Sequence, residues 1–360
     1  MKQISKSDSD RLSAIRFPLI VGVVYIHNYD VFTNTKNVAT GTAWQEAFAY
    51  FSIHLMAQGI ARLAVPIFFI ISGYFLFLGF KPNQQSYLIE IKKRIKTLFV
   101  PFVFWNTLVL AFTIAVQLSS SGSQLFSGRF KSPLEFTPYE YLDAILGLQR
   151  KPIAYHFWFI RDLIVLCIAS PAIYFIVKKA GGYFIAAIFC FWLFDFWPQT
   201  TLSLDGILFF SVGCWVALRQ KSLFALDMHA PFWAGAYLLT LGVSTTIGEH
   251  DLQGRFIHNL GIALGIPLAL YASGLACKSE SIRTKLIQLA PASFFVYAAH
   301  DPAIGLFRKI ALKTLGTPNH LTVAVLYFFI PAVLIVLLTF MYKGLNRALP
   351  KFTSLITGGR

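Results

Sequence analysis

Long apolar stretches alternate with short polar gaps along the whole chain. A helix that crosses a membrane needs about 20 apolar residues, within a range of about 17–25. Stretches of that kind fall at 14–32, 62–80, 97–117, 158–177, 182–198, 205–219, 231–248, 258–277, 292–312 and 321–343, which predicts about ten spans. The fifth and sixth are short, with only Gln199 to Leu204 between them, and the ninth carries Arg308 and Lys309. The runs are continuous rather than alternating, so they do not suit the strands of a barrel. Helices satisfy their own backbone in lipid. The expected fold is therefore all-α: one polytopic transmembrane helical bundle over 1–360.

Composition agrees. The chain is 56% hydrophobic and 13% charged, against about 25% charged in a soluble domain, and its mean hydropathy is +0.62. The net charge of +15 does not point to nucleic acid, because Lys and Arg sit in the gaps between apolar runs. Lys2, Lys6, Arg11, Lys92, Lys93, Arg94, Lys178, Arg219, Lys278, Arg347 and Lys351 all fall on the side of the two termini. Cytoplasmic loops carry the excess of Lys and Arg, so both termini are expected in the cytoplasm. Cys167, Cys190, Cys214 and Cys277 are scattered singly, with no spacing of a metal site or disulfide framework. The polar N-terminal stretch leads into an apolar run without a small-residue cleavage site, which reads as a retained first span.

The longest gap, 118–157, is expected on the outer side. Ser119-Ser120-Ser121-Gly122-Ser123 has linker composition. Thr137-Pro138-Tyr139-Glu140 reads as an N-cap, a first-position proline and a capping-box glutamate, so a short surface helix is expected near 138–148. Arg129, Lys131, Arg150 and Lys151 give this loop positive charge, which suits an anionic acceptor or anionic lipid, or neither.

Arg16 and His27 lie eleven positions apart on the first apolar run, with no charge between them. At about 1.5 Å and 100° per residue, they share a face and stand roughly 16 Å apart. Ionisable groups within a membrane are costly and are functional candidates by default. Read singly, Arg16 is also an interfacial anchor and His27 a packing histidine. Asp30, three residues on, is placed to orient the imidazole or simply marks the wet end of the helix. Ser72-Gly73 reads as close helix packing rather than a nucleophile, since no GxSxG elbow surrounds it.

Four stretches recur with this pair: Arg62-Leu63-Ala64-Val65-Pro66-Ile67-Phe68-Phe69-Ile70-Ile71-Ser72-Gly73-Tyr74, the basic run Lys92-Lys93-Arg94-Ile95-Lys96, His156-Phe157-Trp158-Phe159-Ile160-Arg161-Asp162-Leu163, and Phe294-Phe295-Val296-Tyr297-Ala298-Ala299-His300. With Arg–x10–His, their order and spacing resemble the acyltransferase-3 family of membrane O-acyltransferases over essentially the whole chain. The resemblance implies transfer of an acetyl or other acyl group from acyl-CoA to a hydroxyl of a surface glycan or lipid-linked sugar. It implies a multi-pass protein of a bacterial inner membrane, without a metal. Where the family often has a second arginine three residues after Arg94, this chain has Thr97.

CoA phosphates call for Arg or Lys, and deprotonating a hydroxyl calls for a base such as histidine. The expected catalytic residues are His27 and Asp30, and the expected CoA contacts are Arg16, Lys93, Arg94 and Lys96. Arg62, Trp158, Arg161, Asp162 and His300 are the expected acceptor contacts. Each has a bland counterpart: interface anchor for Arg62, aromatic belt for Trp158, an ion-pair network for Arg161 and Asp162. Being adjacent on a helix, Arg161 and Asp162 point about 100° apart, so each is expected to find its own partner. His54, His229, His250, His258 and His320 read as loop or interface residues. Expected partners are membrane lipid, acyl-CoA and the glycan acceptor, with a homodimer left open. The competing readings are a transporter or exporter of glycans or acyl groups with Arg16 and His27 lining the pathway, and a structural subunit of a polysaccharide synthesis complex.

Overall fold

The computed structural model describes residues 4–78, 80, 83–118, 131–197, 202–248 and 251–359. Its helices are α1 (Lys6–Ala14), α2 (Arg16–His27), α3 (Asp30–Thr35), α4 (Ala43–His54), α5 (Ala64–Phe77), α6 (Gln84–Arg94), α7 (Val100–Leu118), α8 (Pro138–Leu146) and α9 (Trp158–Ile168). After these come α10 (Ser170–Leu193), α11 (Leu204–Leu218), α12 (Ala230–Ile247), α13 (Leu252–Lys278), α14 (Glu280–Leu289), α15 (Ser293–Leu315), α16 (His320–Ala348) and α17 (Pro350–Thr357). No strand occurs among the described residues. The fold is all-helical, as the apolar pattern requires, and the protein is a multi-pass integral membrane protein.

Among the described residues, six helical stretches are long and apolar enough to cross a membrane: Lys6–Thr35, Ala43–Phe77, Gln84–Leu118, Ser170–Leu193, Leu252–Lys278 and His320–Ala348. The other expected spans differ for physical reasons. The stretch 158–177 is divided between α9 and α10 at Ala169, where Pro171 has no N–H to continue the helix. The expected fifth span is the second half of α10, beyond Gly181, whose φ of 30° breaks the helix. Helix α11 has 15 residues, about 22 Å of rise against a core of about 30 Å. Helix α15 carries Asp301, Arg308, Lys309 and Lys313 and is interrupted at Asp301.

Prolines place most of the breaks that shape the interior. Pro18 cannot donate to the carbonyl of Ala14, and α1 ends there. Pro101 follows the π turn Ile95–Phe99, and Pro302 follows Asp301, whose φ −112° and ψ 128° are extended. A residue before proline is pushed out of the helical region, so α15 opens just after His300.

The tightest crossing is α5 against α11. A Cβ on Gly73 would collide with the carbonyl of Phe210, and one on Gly213 with that of Ile70. Small residues let membrane helices approach this closely, which is the packing role read for Gly73, while Ser72 lines a cavity. Gly213→Ala is expected to cost about 2 kcal/mol through overpacking, read as a lower melting temperature of the detergent-solubilised protein.

The segment before α9 is well tied down. Helix α8 forms with both bonds of the Thr137/Glu140 capping box and ends on left-handed Gly147. Lys131 lies 2.8 Å from Glu140, and its hydrogen bond is the chief cause holding that carboxyl at about 2. Arg150 lies 3.0 Å from Asp143. Two of the four cations expected on this loop, Lys131 and Arg150, are thus paired within it; Arg129 lies outside the described residues.

Candidate active site

Arg16 and His27 do share one helix, and both line one elongated cavity of about 550 Å³. That volume lies within the usual range for small-molecule sites, about 300–1,000 Å³. Helices α2, α5 and α9 and the start of α15 supply most of its wall, through residues such as Val23, Phe68, Phe159 and Phe294. Gly22 allows the approach of α2 to the Ile60–Leu63 turn, where a Cβ would sit 3.3 Å from Ala61 Cα.

One end of the cavity is basic. Arg16, Lys93 and Arg94 line it, and no carboxylate does. Arg16 makes no ion pair among the described residues, whereas Arg94 lies 3.6 Å from Glu90. Lys96, expected beside them, is exposed and outside the cavity. It sits on the π turn, whose wider winding rotates it away from the face of Lys93 and Arg94. Thr97 takes a place in the wall instead. Gly358 and Gly359, just after α17, also line this end. A Cβ on Gly358 would collide with the carbonyl of Thr97, and Trp105 Nε1 donates to Ile356 O at 2.9 Å. The C-terminal turn is thus part of the wall, a role without a local sequence signal beyond its paired glycines.

The other end holds histidines. His27 Nδ1 lies 2.5 Å from Tyr155 Oη. The His27 ring is 4.9 Å from His300 and 6.0 Å from His156, centre to centre. His156 lines the cavity, and its Nδ1 lies 3.5 Å from Asp301. Burial pushes up the phenol pKa of Tyr155, on the segment preceding α9, and Asp301 and Asp30 add to the rise. This hydroxyl therefore stays protonated at neutral pH.

No hydrogen bond joins Asp30 to His27 among the described residues. Helix α2 ends at His27, and Asn28 and Tyr29 turn the chain into α3, so i+3 helical geometry no longer applies. Asp30 is 59% exposed and lies 3.3 Å from Arg308. Tyr155 occupies the Nδ1 side of His27 instead. His300 is fully buried and lines neither this cavity nor the next one. Its Nδ1 lies 2.6 Å from Tyr297 O, and its ring packs behind that of His27.

A second cavity, of about 450 Å³, meets the first at Val65 and Trp158, which line both. Four of the expected acceptor residues gather here: Arg62, Trp158, Arg161 and Asp162. Arg62 Nε donates to Gln58 Oε1 at 2.7 Å. Arg161 and Asp162 are partners of each other at 2.7 Å, contrary to the expectation of separate partners. The long Arg161 side chain folds back to reach its neighbour and also donates to Gly147 O. Asp162 accepts from Ser203 N at 2.9 Å as well. His258, read from the sequence as a loop or interface residue, is on α13 and lines this cavity, as do Trp192, Trp197 and Asp205.

The model of the family described as "Acyltransferase domain" (Acyl_transf_3) matches residues 10–342. The chain belongs to this family. It is therefore a membrane acyltransferase, transferring groups other than amino-acyl groups. It is 24% identical over 364 residues to the succinoglycan biosynthesis protein ExoH of Rhizobium meliloti (strain 1021), covering 98% of this chain and 92% of that one. A match at 25% identity to the bidirectional sugar transporter SWEET3b of Oryza sativa subsp. japonica spans 35% of this chain and 52% of that one. No solved structure matches the chain.

Proposed function

We propose that this acyltransferase moves an acetyl or other acyl group from acyl-CoA to a hydroxyl of a surface glycan or lipid-linked sugar, with His27 as general base. One observation carries the proposal: a single cavity has cations without carboxylates at one end and His27 at the other. CoA has the matching polarity, phosphates at one end and a thioester at the far end of an apolar arm. Arg16, Lys93 and Arg94 hold the phosphates, and the arm runs along α2 towards His27. Both termini face the cytoplasm, where CoA is found, in a bacterial inner membrane. The name of the Rhizobium relative, a succinoglycan biosynthesis protein, favours a polysaccharide acceptor.

The chemistry follows from the ring nitrogens. With Nδ1–H donated to Tyr155 Oη, Nε2 keeps its lone pair. Nε2 takes the proton of the acceptor hydroxyl as its oxygen attacks the thioester carbonyl. The tetrahedral intermediate collapses, the C–S bond breaks, and the imidazolium returns the proton to the departing sulfur. The products are the acyl ester and CoA thiol.

Tyr155 is the positioning residue in this scheme. Tyr155→Phe is expected to lower kcat about tenfold, the worth of one orienting hydrogen bond, with the KM for acyl-CoA within twofold. An unchanged kcat removes Tyr155 from the mechanism. The proposal as a whole is tested with labelled acetyl-CoA added to proteoliposomes of the pure protein and candidate lipid-linked glycans. Transfer that needs Arg16 and His27 supports it; glycan movement without consumption of CoA overturns it.

A further inference from the structure

Helix α9 stands between the two cavities and gives a face to each. At about 100° per residue, Trp158, Arg161 and Asp162 fall on one side and line the second cavity. Phe159, Ile160 and Leu163 fall on the other side and line the first. Trp158 alone of these borders both, and it is the first residue of α9, so no further turn of this helix continues the division beyond it. Val65 of α5 likewise lines both. Helix α2 crosses the same boundary between Ile26, in the second cavity, and His27, in the first.

The lining changes character at this boundary. Along α2, between Arg16 and His27, the first cavity is walled by Ile20 and Val23, and Phe68 and Phe159 extend the apolar surface. The second cavity carries Arg62, Lys151, Arg161, Asp162, Asp195 and Asp205. Arg62 and Lys151 have no carboxylate partner among the described residues, and charged groups without a partner keep water about them. A thioester held at His27 thus sits in apolar surroundings, separated from a cavity that holds water by the side chains of Trp158 and Val65.

We infer that Trp158 decides between acceptor and water: its half-buried indole narrows the junction, so that a hydroxyl carried in by the acceptor reaches the thioester and loose water does not. Exclusion of water from a site protects a reactive group from hydrolysis. The reaction held back is defined. His27 Nε2 takes one proton of water, the water oxygen bonds to the thioester carbon, the C–S bond breaks, and the sulfur receives that proton. From acetyl-CoA the products are acetic acid and CoA thiol. This inference rests on the assignment of the first cavity to acyl-CoA with His27 as base.

The test uses the purified protein in nanodiscs with labelled acetyl-CoA and no acceptor, and reads acetate release beside acetyl-CoA affinity. Trp158→Ala is expected to raise hydrolysis about tenfold or more, and Trp158→Phe, with a smaller ring, to raise it less. Adding His27→Ala to Trp158→Ala is expected to abolish the gain. Hydrolysis no faster in Trp158→Ala than in wild type, with acetyl-CoA still bound, overturns the inference. So does a gain that survives the loss of His27, because water then attacks elsewhere. If Trp158→Ala does not bind acetyl-CoA, Trp158→Phe decides by the same comparison. Failure of the wild type to bind acetyl-CoA sinks the donor assignment itself, whereas binding with unaltered hydrolysis sinks the role of Trp158 alone.

Discussion

His27→Ala is expected to lower acyl transfer about a thousandfold while CoA still binds. A positioned base is worth roughly 10²–10⁴ in rate, and the mid-range applies because the cavity walls and the basic end are untouched by the change. The ring makes no ion pair among the described residues: its neighbours are Tyr155 at 2.5 Å and the rings of His156 and His300. The measurement is single-turnover release of CoA from labelled acetyl-CoA in proteoliposomes, with CoA affinity as the control for folding. His27→Gln keeps a polar side chain near Tyr155 but supplies no base, so it is expected to be as slow as the alanine variant. If transfer in either variant stays within tenfold of wild type, the base is another group. His156, which lines the same cavity 3.5 Å from Asp301, is then the next to test.

The reach of the sequence ended where partners became distant. Arg16 and His27 were legible because both lie on one helix, where spacing alone fixes the shared face. Their surroundings were not. Tyr155, His156, His300 and Asp301 approach His27 from two other regions of the chain, and nothing local to residue 27 points to them. Asp30 was the local choice, but the helix ends at His27 and Asp30 pairs with Arg308. Lys96 lies outside the cavity for a related reason, one extra residue in the turn Ile95–Phe99. Both differences come from extending an ideal helix across a break.

Hydropathy marked the apolar runs well and their continuity less well. Gly181 and Ala169 divide helical stretches at points that a hydropathy average passes over. The charged residues of α15 had the opposite effect. They lower its hydropathy, yet this helix brings Tyr297, His300 and Asp301 to the site. Polar positions on an apolar helix therefore carried more information about chemistry than about topology. The same holds for the second cavity, where Asp205 and His258 sit among tryptophans that composition alone assigns to the membrane interface.

The basic end of the first cavity makes a prediction almost as large as that for His27. Arg16→Ala is expected to weaken CoA binding about a hundredfold, roughly 3 kcal/mol, the upper range for a hydrogen bond to a charged group. Of the two guanidinium groups there, Arg16 has no ion pair among the described residues, whereas Arg94 already lies near Glu90. Arg16→Lys should recover part of the loss, because an ammonium keeps the charge but not the two-pronged grip on phosphate. Titration calorimetry in nanodiscs reads the effect, and pantetheine supplies the control, since it has the arm without the phosphates. Its affinity is expected to be the same in wild type and Arg16→Ala. Equal weakening of pantetheine and CoA would mean that Arg16 shapes the cavity rather than holding phosphate. A wild-type affinity for CoA that does not fall with added salt would argue against phosphate recognition by any of the three cations, because charge pairing at an open cavity mouth is screened by salt.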